Sequence, residues 1–323
     1  MRKRKLIRKK KRNRTKKIII ITTLCLLFVI TAGYAAFQTN LSITAKGNIY
    51  NKGDLCYETS DNGDGTVTIT NYDKTCGSDV VIPETIKGKT VTKIGNANSS
   101  YDNVFASKEL TSVVIPDTII SIGRQAFYHN SISYLDLGNS ITEIGYEAFH
   151  SNALTNIVFP QSLKKIGNGS FMGNYLTSIP SLENLEYGSG AFSFNSVKPS
   201  EAFIYAKNSD GSIDYTTLNS YATRKWVDII EVPNTVKNLL SYSFRYANSR
   251  AITLPEGVEN ISSAAFMQVN SNEINLPSTI KTMGINAFYQ CPNIKTININ
   301  LEENAITGSP WGATNAEVIW ASS

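Results

Sequence analysis

Hydrophobic and polar positions recur with a fixed period over most of this chain. Phe105, Phe127, Phe149 and Phe171 are each 22 residues apart, and Phe192 follows after 21. The spacing then lapses and returns at a second group of aromatic residues: Phe244, Phe266, Phe288 and, 23 residues later, Trp311. A period of about 20–29 residues is typical of solenoids, in which each repeat forms one turn and the turns stack. The pattern therefore predicts a stacked array of short repeats.

Each repeat begins with an alternation of apolar and polar residues that predicts a β-strand. Val113 and Ile115 stand fourteen and twelve residues before Phe127, and equivalent pairs, such as Ile157 and Phe159, precede the other aromatic residues. Period-two alternation directs both members of a pair to one face of a strand. Proline often follows the pair, and because it cannot donate to a sheet ladder it ends the strand.

The second part of each repeat predicts a turn. Two further apolar residues stand eight and five positions before the aromatic residue, and a glycine often follows them, as at Gly123, Gly145, Gly167 and Gly284. We expect these glycines to supply a left-handed or tight backbone conformation. The Ala-Phe or Ser-Phe pair then predicts a small residue and a ring on a short helical turn. The fold class that follows is mainly β with short helical turns.

A polar position follows each of the early rings. Asparagine stands three residues after the phenylalanine at Asn130, Asn152, Asn174 and Asn195, whereas the later repeats have Ala247, Val269 and Cys291. A stacked column of asparagines can satisfy backbone groups that a bend leaves unpaired. We expect this role for the asparagines, and we expect Cys291 to be a buried thiol rather than a reactive one.

The complete repeat resembles a known family. The unit AF-x-x-N/C-x-L-x-x-I-x-I-P-x-S-I-x-x-I-G is similar to the BspA-type leucine-rich repeat of bacterial surface proteins, over roughly residues 55–323 and including the terminal SPWGATNAEVIW. Asparagine replaces the usual cysteine in four repeats, and an insertion splits the array. The resemblance implies a surface-exposed, non-enzymatic binding or adhesion module. With the period, it predicts a leucine-rich-repeat solenoid of about nine 22-residue repeats.

The charge of the chain is concentrated at its N-terminus. Residues 1–17 contain twelve Lys or Arg and no acid, whereas the rest carries 19 basic and 26 acidic residues. Residues 18–37 have no charged residue and are long enough to cross a bilayer. A basic flank before such a segment stays cytoplasmic. We therefore expect a cytoplasmic tail at 1–17, with no nucleic-acid partner, and a transmembrane or signal helix at 18–37.

This N-terminal segment predicts export of everything that follows it. Gly33-Tyr34-Ala35 is an acceptable small-x-small cleavage site, so a retained anchor and a cleaved signal both stay open. The predicted location is the bacterial cell surface, with a single-pass membrane anchor and an extracellular C-terminal domain, or secretion if the segment is cleaved.

A short cap is expected between the membrane segment and the array. Residues 38–54 form a polar spacer, and residues 55–80 contain two alternating runs around Asp64-Gly65, a hairpin turn signal. Cys56 and Cys76 flank this hairpin, and in an exported domain they are expected to form a disulfide. Because a solenoid needs its first turn covered, we interpret 55–80 as the cap and 81–323 as the solenoid.

An insertion separates the two groups of repeats. Phe192 and Phe244 are 52 residues apart, about 30 more than one repeat, and Asp210-Gly211 again marks a hairpin. We predict a two-stranded hairpin island at about 197–226, outside the stack. Its aromatic residues either pack on the solenoid or form a contact patch: Phe203, Tyr205, Tyr215, Tyr221 and Trp226.

Nothing in the sequence indicates catalysis. The two histidines, His129 and His150, fall at the corners of neighbouring repeats, and a histidine pair alone makes a weak metal site. The chain contains neither Gly-x-Ser-x-Gly nor His-Glu-x-x-His. We predict no enzyme, no metal and no cofactor.

The predicted ligand surface is the outer face of the strands, which is where solenoids bind partners. Its candidate residues flank the inward pairs: Tyr134, Asp136, Asn156, Val158, Glu231, Thr253, Glu273 and Asn275. Mixed polar residues with few charges favour an extracellular protein or glycan as partner, bound by this face or by the island. A structural surface spacer without a specific ligand is the alternative, and an extracellular enzyme a remote one.

Overall fold

The computed structural model of the chain describes residues 41–43, 49–95, 103–303 and 305–321. The predicted cytoplasmic tail and the predicted helix at 18–37 lie outside these residues. In the described part of the chain, no helix combines the length and the apolar character that a membrane span requires.

The chain divides into two compact units after Cys56. The first unit contains an antiparallel pair of strands, β1 (Leu41–Ile43) and β2 (Ile49–Asn51), and a 3-10 helix, Lys52–Cys56. Cys56 and Cys76 are both disulfide-bonded, as the sequence predicts.

The described part of the second unit, from Tyr57 onward, contains short strands joined by turns and two brief 3-10 helices, Lys74–Cys76 and Pro199–Glu201. The strands before the insertion are β3 (Tyr57–Asp61), β4 (Thr66–Tyr72), β5 (Asp79–Val81), β6 (Thr85–Ile86), β7 (Lys89–Ile94), β8 (Ser112–Ile115), β9 (Ser121–Ile122), β10 (Tyr134–Leu137), β11 (Glu143–Ile144), β12 (Lys165–Ile166) and β13 (Glu186–Tyr187). Those from the insertion onward are β14 (Phe203–Lys207), β15 (Ile213–Tyr221), β16 (Val227–Glu231), β17 (Asn238–Leu239), β18 (Ser249–Thr253), β19 (Asn260–Ile261), β20 (Glu273–Leu276), β21 (Thr282–Met283), β22 (Thr296–Ile299) and β23 (Glu317–Trp320).

The strands form a β-solenoid, in which the two sides of each turn belong to two separate sheets. The first side of each turn, where the alternating pair lies, forms the sheets β5-β8-β10 and β16-β18-β20-β22-β23. The second side forms β3-β4-β7-β9-β11-β12-β13, with β6 beside β7, and β14-β15-β17-β19-β21. Neighbouring turns pair in parallel with a register of one repeat, as in Tyr134 with Ser112. Both sides are interrupted in the middle of the array.

The described residues form about 11 turns, so the predicted count of about nine is wrong. One additional turn comes from the N-terminal hairpin, because β4 pairs in parallel with β7 and Tyr72 packs 5.0 Å from Phe105. The other comes from the insertion, because β15 pairs in parallel with β17 and Tyr221 packs 5.5 Å from Phe244. The inserted hairpin, β14 and β15, is therefore not outside the stack: its second strand is one of the turns.

The aromatic residues of successive turns stack in the interior, in one column before the insertion and another from the insertion onward, which confirms the predicted stacked array. The rings of Phe127 and Phe149 stack with centroids 5.1 Å apart at 3°, and those of Phe149 and Phe171 with centroids 5.5 Å apart at 8°. Phe244, Phe266 and Phe288 repeat this stacking in the later turns. All the rings in these stacks are fully buried. Since an isolated turn could not enclose its own ring, stacking supplies the core.

The asparagine column also has the predicted role. The side-chain amide of Asn152 donates to the carbonyls of Phe127 (2.9 Å) and Phe149 (3.1 Å), and its oxygen accepts from the backbone N–H of Ile132 (3.1 Å). Asn174 makes the same contacts one turn further on. Each buried amide thus pairs backbone groups of successive turns, which would otherwise be buried without partners.

The corners that carry the rings are turns rather than the short helical turns predicted. Gln125 and Glu147, two residues before their phenylalanines, have left-handed backbones with φ of 52° and 50°. The glycines that precede them have a different role from the one expected. A Cβ on Gly145 would lie 2.7 Å from the carbonyl carbon of Gly123 in the previous turn. That glycine allows the close approach of two backbones, and its own φ is not left-handed.

Two consecutive turns lack a strand on the first side. The pair Ile157 and Phe159 predicts a strand, but the structure has none there or in the next turn. In the next turn Pro180 occupies the position of the second inward residue. A proline there cannot donate to a ladder, so this turn cannot pair with either neighbour as a central strand. The first-side sheet consequently stops at β10 and resumes only at β16.

Candidate functional site

The predicted ligand surface is divided by this interruption. Tyr134 and Asp136 are exposed on β10, the last first-side strand before the gap. Asn156 and Val158 are exposed in a turn without a strand, where Val158 is 83% accessible. These four residues lie outside the sheet that carries the other candidates.

The other four candidates lie together on neighbouring strands of the second first-side sheet. Glu231 is exposed on β16, whereas Thr253, Glu273 and Asn275 are half-buried on β18 and β20. The side-chain amide of Asn275 donates to Thr253 Oγ1 (3.3 Å). Asn298 donates to Asn275 Oδ1 (2.7 Å) and to Glu273 Oε1 (3.1 Å). This polar ladder satisfies much of its own hydrogen-bonding capacity, which reduces what it offers to a ligand.

A groove lies where the second-side sheets are interrupted. One wall is the segment Ser178–Tyr187, which ends in β13, and the other is the hairpin from β14 to Ile213. The volume of this space is about 1460 Å³, and we name it the hairpin groove. β13 is the last strand of one sheet and β14 is the first strand of the next.

Two side chains cross the hairpin groove and tie its walls together. The phenol of Tyr187 donates to the backbone carbonyl of Tyr205 (2.6 Å), and Lys207 Nζ donates to the carbonyl of Leu182 (2.6 Å). The ammonium also lies 5.7 Å from the centre of the Tyr187 ring. Burial raises the pKa of Tyr187, which keeps this phenol protonated and able to donate.

The aromatic residues of the insertion divide between packing and exposure. Tyr221 is only 3% accessible, and its ring centroid lies 5.0 Å from that of Phe203, so these two fill the core of the insertion. Tyr205 and Tyr215 pair at 5.2 Å beside the groove, and Tyr215 is 57% exposed. Trp226 is 60% exposed. Of the two alternatives that the sequence left open, packing is seen for Phe203 and Tyr221, and contact with a partner stays a prediction for Tyr215 and Trp226.

A second cluster, buried at the corners, connects distant parts of the array. Arg245 Nη1 donates to Glu147 Oε1 (3.3 Å), although the two residues are 98 positions apart, and Gln125 Nε2 donates to Glu147 Oε2 (2.8 Å). His150 is 1% exposed, and its Nδ1 lies 3.7 Å from Glu147 Oε1. Among the described residues, neither ring nitrogen of His150 has a hydrogen-bond partner. We name Gln125, Glu147, His150 and Arg245 the corner cluster.

Glycines make the corner cluster possible. A Cβ on Gly169 would lie 3.1 Å from Glu147 Cγ, one on Gly173 3.3 Å from His150 Cδ2, and one on Gly190 2.7 Å from Tyr242 Cβ. The turns between the two partners therefore leave space at this corner. Side chains from either side fill that space and meet across it.

The surroundings of Glu147 and His150 determine their protonation states. Burial opposes ionisation of Glu147, but the neighbouring His150, Gln125 and Arg245 together lower the pKa of this carboxyl to about 2. Burial lowers the pKa of His150 despite the adjacent carboxylate, so the imidazole is neutral near pH 7. The Glu147 carboxylate accepts from Arg245 and Gln125 beside a neutral histidine, and this arrangement forms a structural tie.

No metal centre is found within the residues that the structure describes. No group of three or more His, Cys, Asp or Glu there could hold an ion. Cys291 is buried, its thiol contacts the carbonyl of Phe266 (2.9 Å), and burial raises the pKa of the thiol to about 11. The expectation of a buried, unreactive thiol is consistent with this environment.

Neither the hairpin groove nor the corner cluster was identified from the sequence. Pro180 and the spacing of 52 residues between Phe192 and Phe244 were signals that the stack is disturbed here. No local pattern connects Glu147 with Arg245, because their contact depends on the number of turns between them.

Solved structures of bacterial leucine-rich-repeat proteins resemble this chain. A leucine-rich repeat protein from Eubacterium ventriosum is 24% identical, with 74% of this chain and 68% of that chain covered and a TM-score of 0.55. A leucine rich cell surface protein from Faecalibacterium prausnitzii is 22% identical, with 83% and 94% covered and a TM-score of 0.38. The pneumococcal vaccine antigen PcpA is 19% identical, with 88% and 89% covered and a TM-score of 0.44. The first of these supports the fold alone.

Sequence comparison gives a more specific result. No curated protein matches the chain significantly. The model of the BspA type leucine rich repeat region, however, matches residues 98–211 and 212–316 in six copies, which is more than half of the chain. These are the residues whose rings and asparagines form the stacked columns. The chain therefore belongs to the BspA-type leucine-rich-repeat family.

Proposed function

We propose that this chain is a bacterial cell-surface module that binds an extracellular protein or glycan and has no catalytic activity. Proteins of the BspA type are typically bacterial surface proteins and typically non-enzymatic. In the proposed arrangement, residues 18–37 anchor the chain in the membrane and the solenoid is extracellular.

The observation that carries this proposal is the interruption of the array. A spacer requires only uniform stacking, but here the stack opens into the hairpin groove, and Tyr215 and Trp226 are exposed on the insertion. Exposed aromatic side chains supply large contact areas at low conformational cost, which is why they are enriched where proteins bind. The candidate face around Tyr134 and Glu231 is the second possible contact surface.

A binding assay on the full chain, displayed on a bacterial host, tests this function. We expect saturable binding to at least one member of a panel of extracellular matrix proteins and glycans. Two double variants test the two surfaces: Tyr134→Ala with Glu231→Gln for the strand face, and Tyr215→Ser with Trp226→Ser for the insertion. One of them should reduce that binding at least tenfold. Ile285→Ser is the matched control, because Ile285 is 76% exposed elsewhere on the array.

Three outcomes would change the proposal. Absence of binding from a displayed and folded chain would favour a structural spacer. Turnover of a substrate in an untargeted screen would favour an enzyme. Resistance of the solenoid to protease added to intact cells, with degradation after lysis, would place it in the cytosol and contradict surface location.

A further inference from the structure

The hairpin groove separates two strands that end their sheets. β13 pairs with β12 on one side, β14 pairs with β15 on the other, and no ladder joins β13 to β14. An edge strand presents unpaired N–H and C=O groups and can act as a template for another strand. The array therefore has a strand edge inside a groove, in a sheet that is otherwise regularly paired.

The groups that cross the groove show how its edge can be used. The carbonyl of Tyr205, on β14, faces the groove and accepts the Tyr187 phenol at 2.6 Å. Leu182, on the opposite wall, likewise directs its carbonyl to Lys207 Nζ. Both bonds join a backbone acceptor to a side chain, so the walls are about one side chain apart. Backbone N–H groups from an extended segment could satisfy the same acceptors.

The net negative charge of the groove favours extended segments that carry basic side chains. Its lining contains four carboxylates, Glu183, Glu186, Glu201 and Asp210, against Lys207 alone. Among the described residues, only Glu201 of these four has an ion-pair partner, Lys198 at 3.7 Å. The lysine beside Glu186 in the register, Lys165, pairs instead with Glu143 at 3.1 Å. A lining that combines apolar side chains with excess negative charge is complementary to a basic, partly apolar partner.

We propose that the hairpin groove binds an extended polypeptide segment with alternating basic and apolar side chains, whose backbone pairs with the outer edge of β14. Main-chain hydrogen bonds to β14 supply affinity. The carboxylates select lysine or arginine, and the apolar walls accept the alternate side chains. This inference rests on the proposed binding function and names the partner chemistry of one of its two surfaces.

Peptide binding to the full chain, in a mild non-ionic detergent, tests the inference by fluorescence anisotropy. The probe is a blocked octapeptide of alternating lysine and valine. The first comparison replaces lysine with glutamate, and the second N-methylates alternate residues to remove backbone donors. We expect each change to weaken binding at least tenfold. Equal binding of the three peptides, or no binding to a folded chain, would overturn the proposal.

Variants locate the site. Glu183→Gln with Glu186→Gln, both exposed, should weaken binding of the lysine peptide about tenfold. The matched control, Glu302→Gln with Glu303→Gln, removes two exposed carboxylates outside both the groove and the candidate ligand face, and should leave the affinity unchanged. The reverse pattern would refute the location.

Tyr187→Phe tests strand pairing independently of charge. It removes the phenol that occupies the Tyr205 carbonyl, so an added strand no longer competes with it, and affinity should rise several-fold. Unchanged or lower affinity would exclude strand pairing at Tyr205. If no peptide binds while the panel of matrix proteins and glycans still gives saturable binding, this inference fails and the proposed function stands; if neither binds, both fail.

Discussion

The two halves of the array share one period but satisfy their corner backbones differently. In the first half a buried asparagine side chain spans two turns, as Asn152 does between the carbonyls of Phe127 and Phe149. In the second half the backbone closes on itself, because the N–H of Val269 donates to the carbonyl of Phe266 (3.1 Å). The period is therefore maintained by the rings and strands, and the position after the ring can be filled in more than one way.

The difference extends to the surface. In the second half the exposed asparagines form a ladder outside the core, with Asn270 donating to Asn248 (2.9 Å) and Asn293 donating to Asn270 (2.8 Å). The same residue type thus lies inside one half and outside the other. An exposed amide can exchange its partner for water, whereas a buried one cannot, so we expect very different energetic roles.

The largest effect should come from the ring column that both halves share. Phe149→Ala removes a fully buried ring that stacks on Phe127 and Phe171, and should lower the free energy of unfolding by about 3–5 kcal/mol. Urea denaturation followed by circular dichroism measures this. Phe266→Ala is the comparison in the second half and should cost about the same. A loss below about 1 kcal/mol at both sites would contradict the column as the main source of stability.

The next largest effect should come from the corner cluster, in which the ion pair of Glu147 with Arg245 connects the two halves of the array. The Glu147 carboxyl has a pKa of about 2 in the folded chain against 4.5 as its ordinary value, so the unfolded chain binds the proton more tightly. This contribution is complete above pH 4.5 and is lost as the pH falls towards 2, by on the order of 3 kcal/mol. The lowered pKa of His150 acts in the same direction, with a loss that begins as the pH falls through 6.5.

Denaturation midpoints from pH 7 to pH 2.5 measure this acid sensitivity. Glu147→Gln should be less stable than the wild type at pH 7, because Arg245 loses its ion-pair partner, and should show a shallower decline below pH 4.5. Glu143→Gln is the matched control: its partner Lys165 is 56% exposed, and such a pair contributes at most about 1 kcal/mol. Identical acid profiles for wild type and Glu147→Gln would refute the tie.

The column of buried asparagines should give the third effect. Asn152→Ala leaves the N–H of Ile132 without its partner and removes one of the two amide donors at each of two carbonyls, which keep Asn130 and Asn174 as donors. It should cost about 1–3 kcal/mol. Asn270→Ala, in the exposed ladder, should stay within about 0.5 kcal/mol of the wild type. Equal costs for the two variants in urea denaturation would show that burial does not separate the halves in this way.

Residues with a regular spacing could be placed from the sequence, and residues without one could not. Phe127, Phe149 and Phe171 repeat every 22 positions, which fixes their stacking. Tyr72 and Tyr221 also occupy the column, but Tyr72 lies 33 positions before Phe105 and Tyr221 lies 29 after Phe192, so the number of turns was underestimated.

Sites that depend on several turns at once are also hidden in the sequence. The hairpin groove lies between the segment that contains Pro180 and the inserted hairpin, in which β14 folds back on β15. Each of these segments has a local signal, yet the space between them does not. The corner cluster requires glycines in the intervening turns, and their effect becomes visible only when Glu147 and Arg245 are placed in three dimensions.

The smallest expected effect concerns Cys291, where the two ways of satisfying the corner backbone can be compared at a single position. Cys291 stands where the first half has asparagine, and its thiol already contacts the carbonyl of Phe266 at 2.9 Å, as the Asn152 amide contacts Phe127. Cys291→Asn should therefore give the second half the solution of the first and change the free energy of unfolding by about 1 kcal/mol or less, because the new amide finds an acceptor in place. A matched Val269→Asn variant should cost more, since it places an amide where the wild type has a buried apolar side chain and no side-chain donor. If Cys291→Asn destabilised the chain by more than about 2 kcal/mol in urea, the two corner designs would not be interchangeable, and the period alone would not determine the turn.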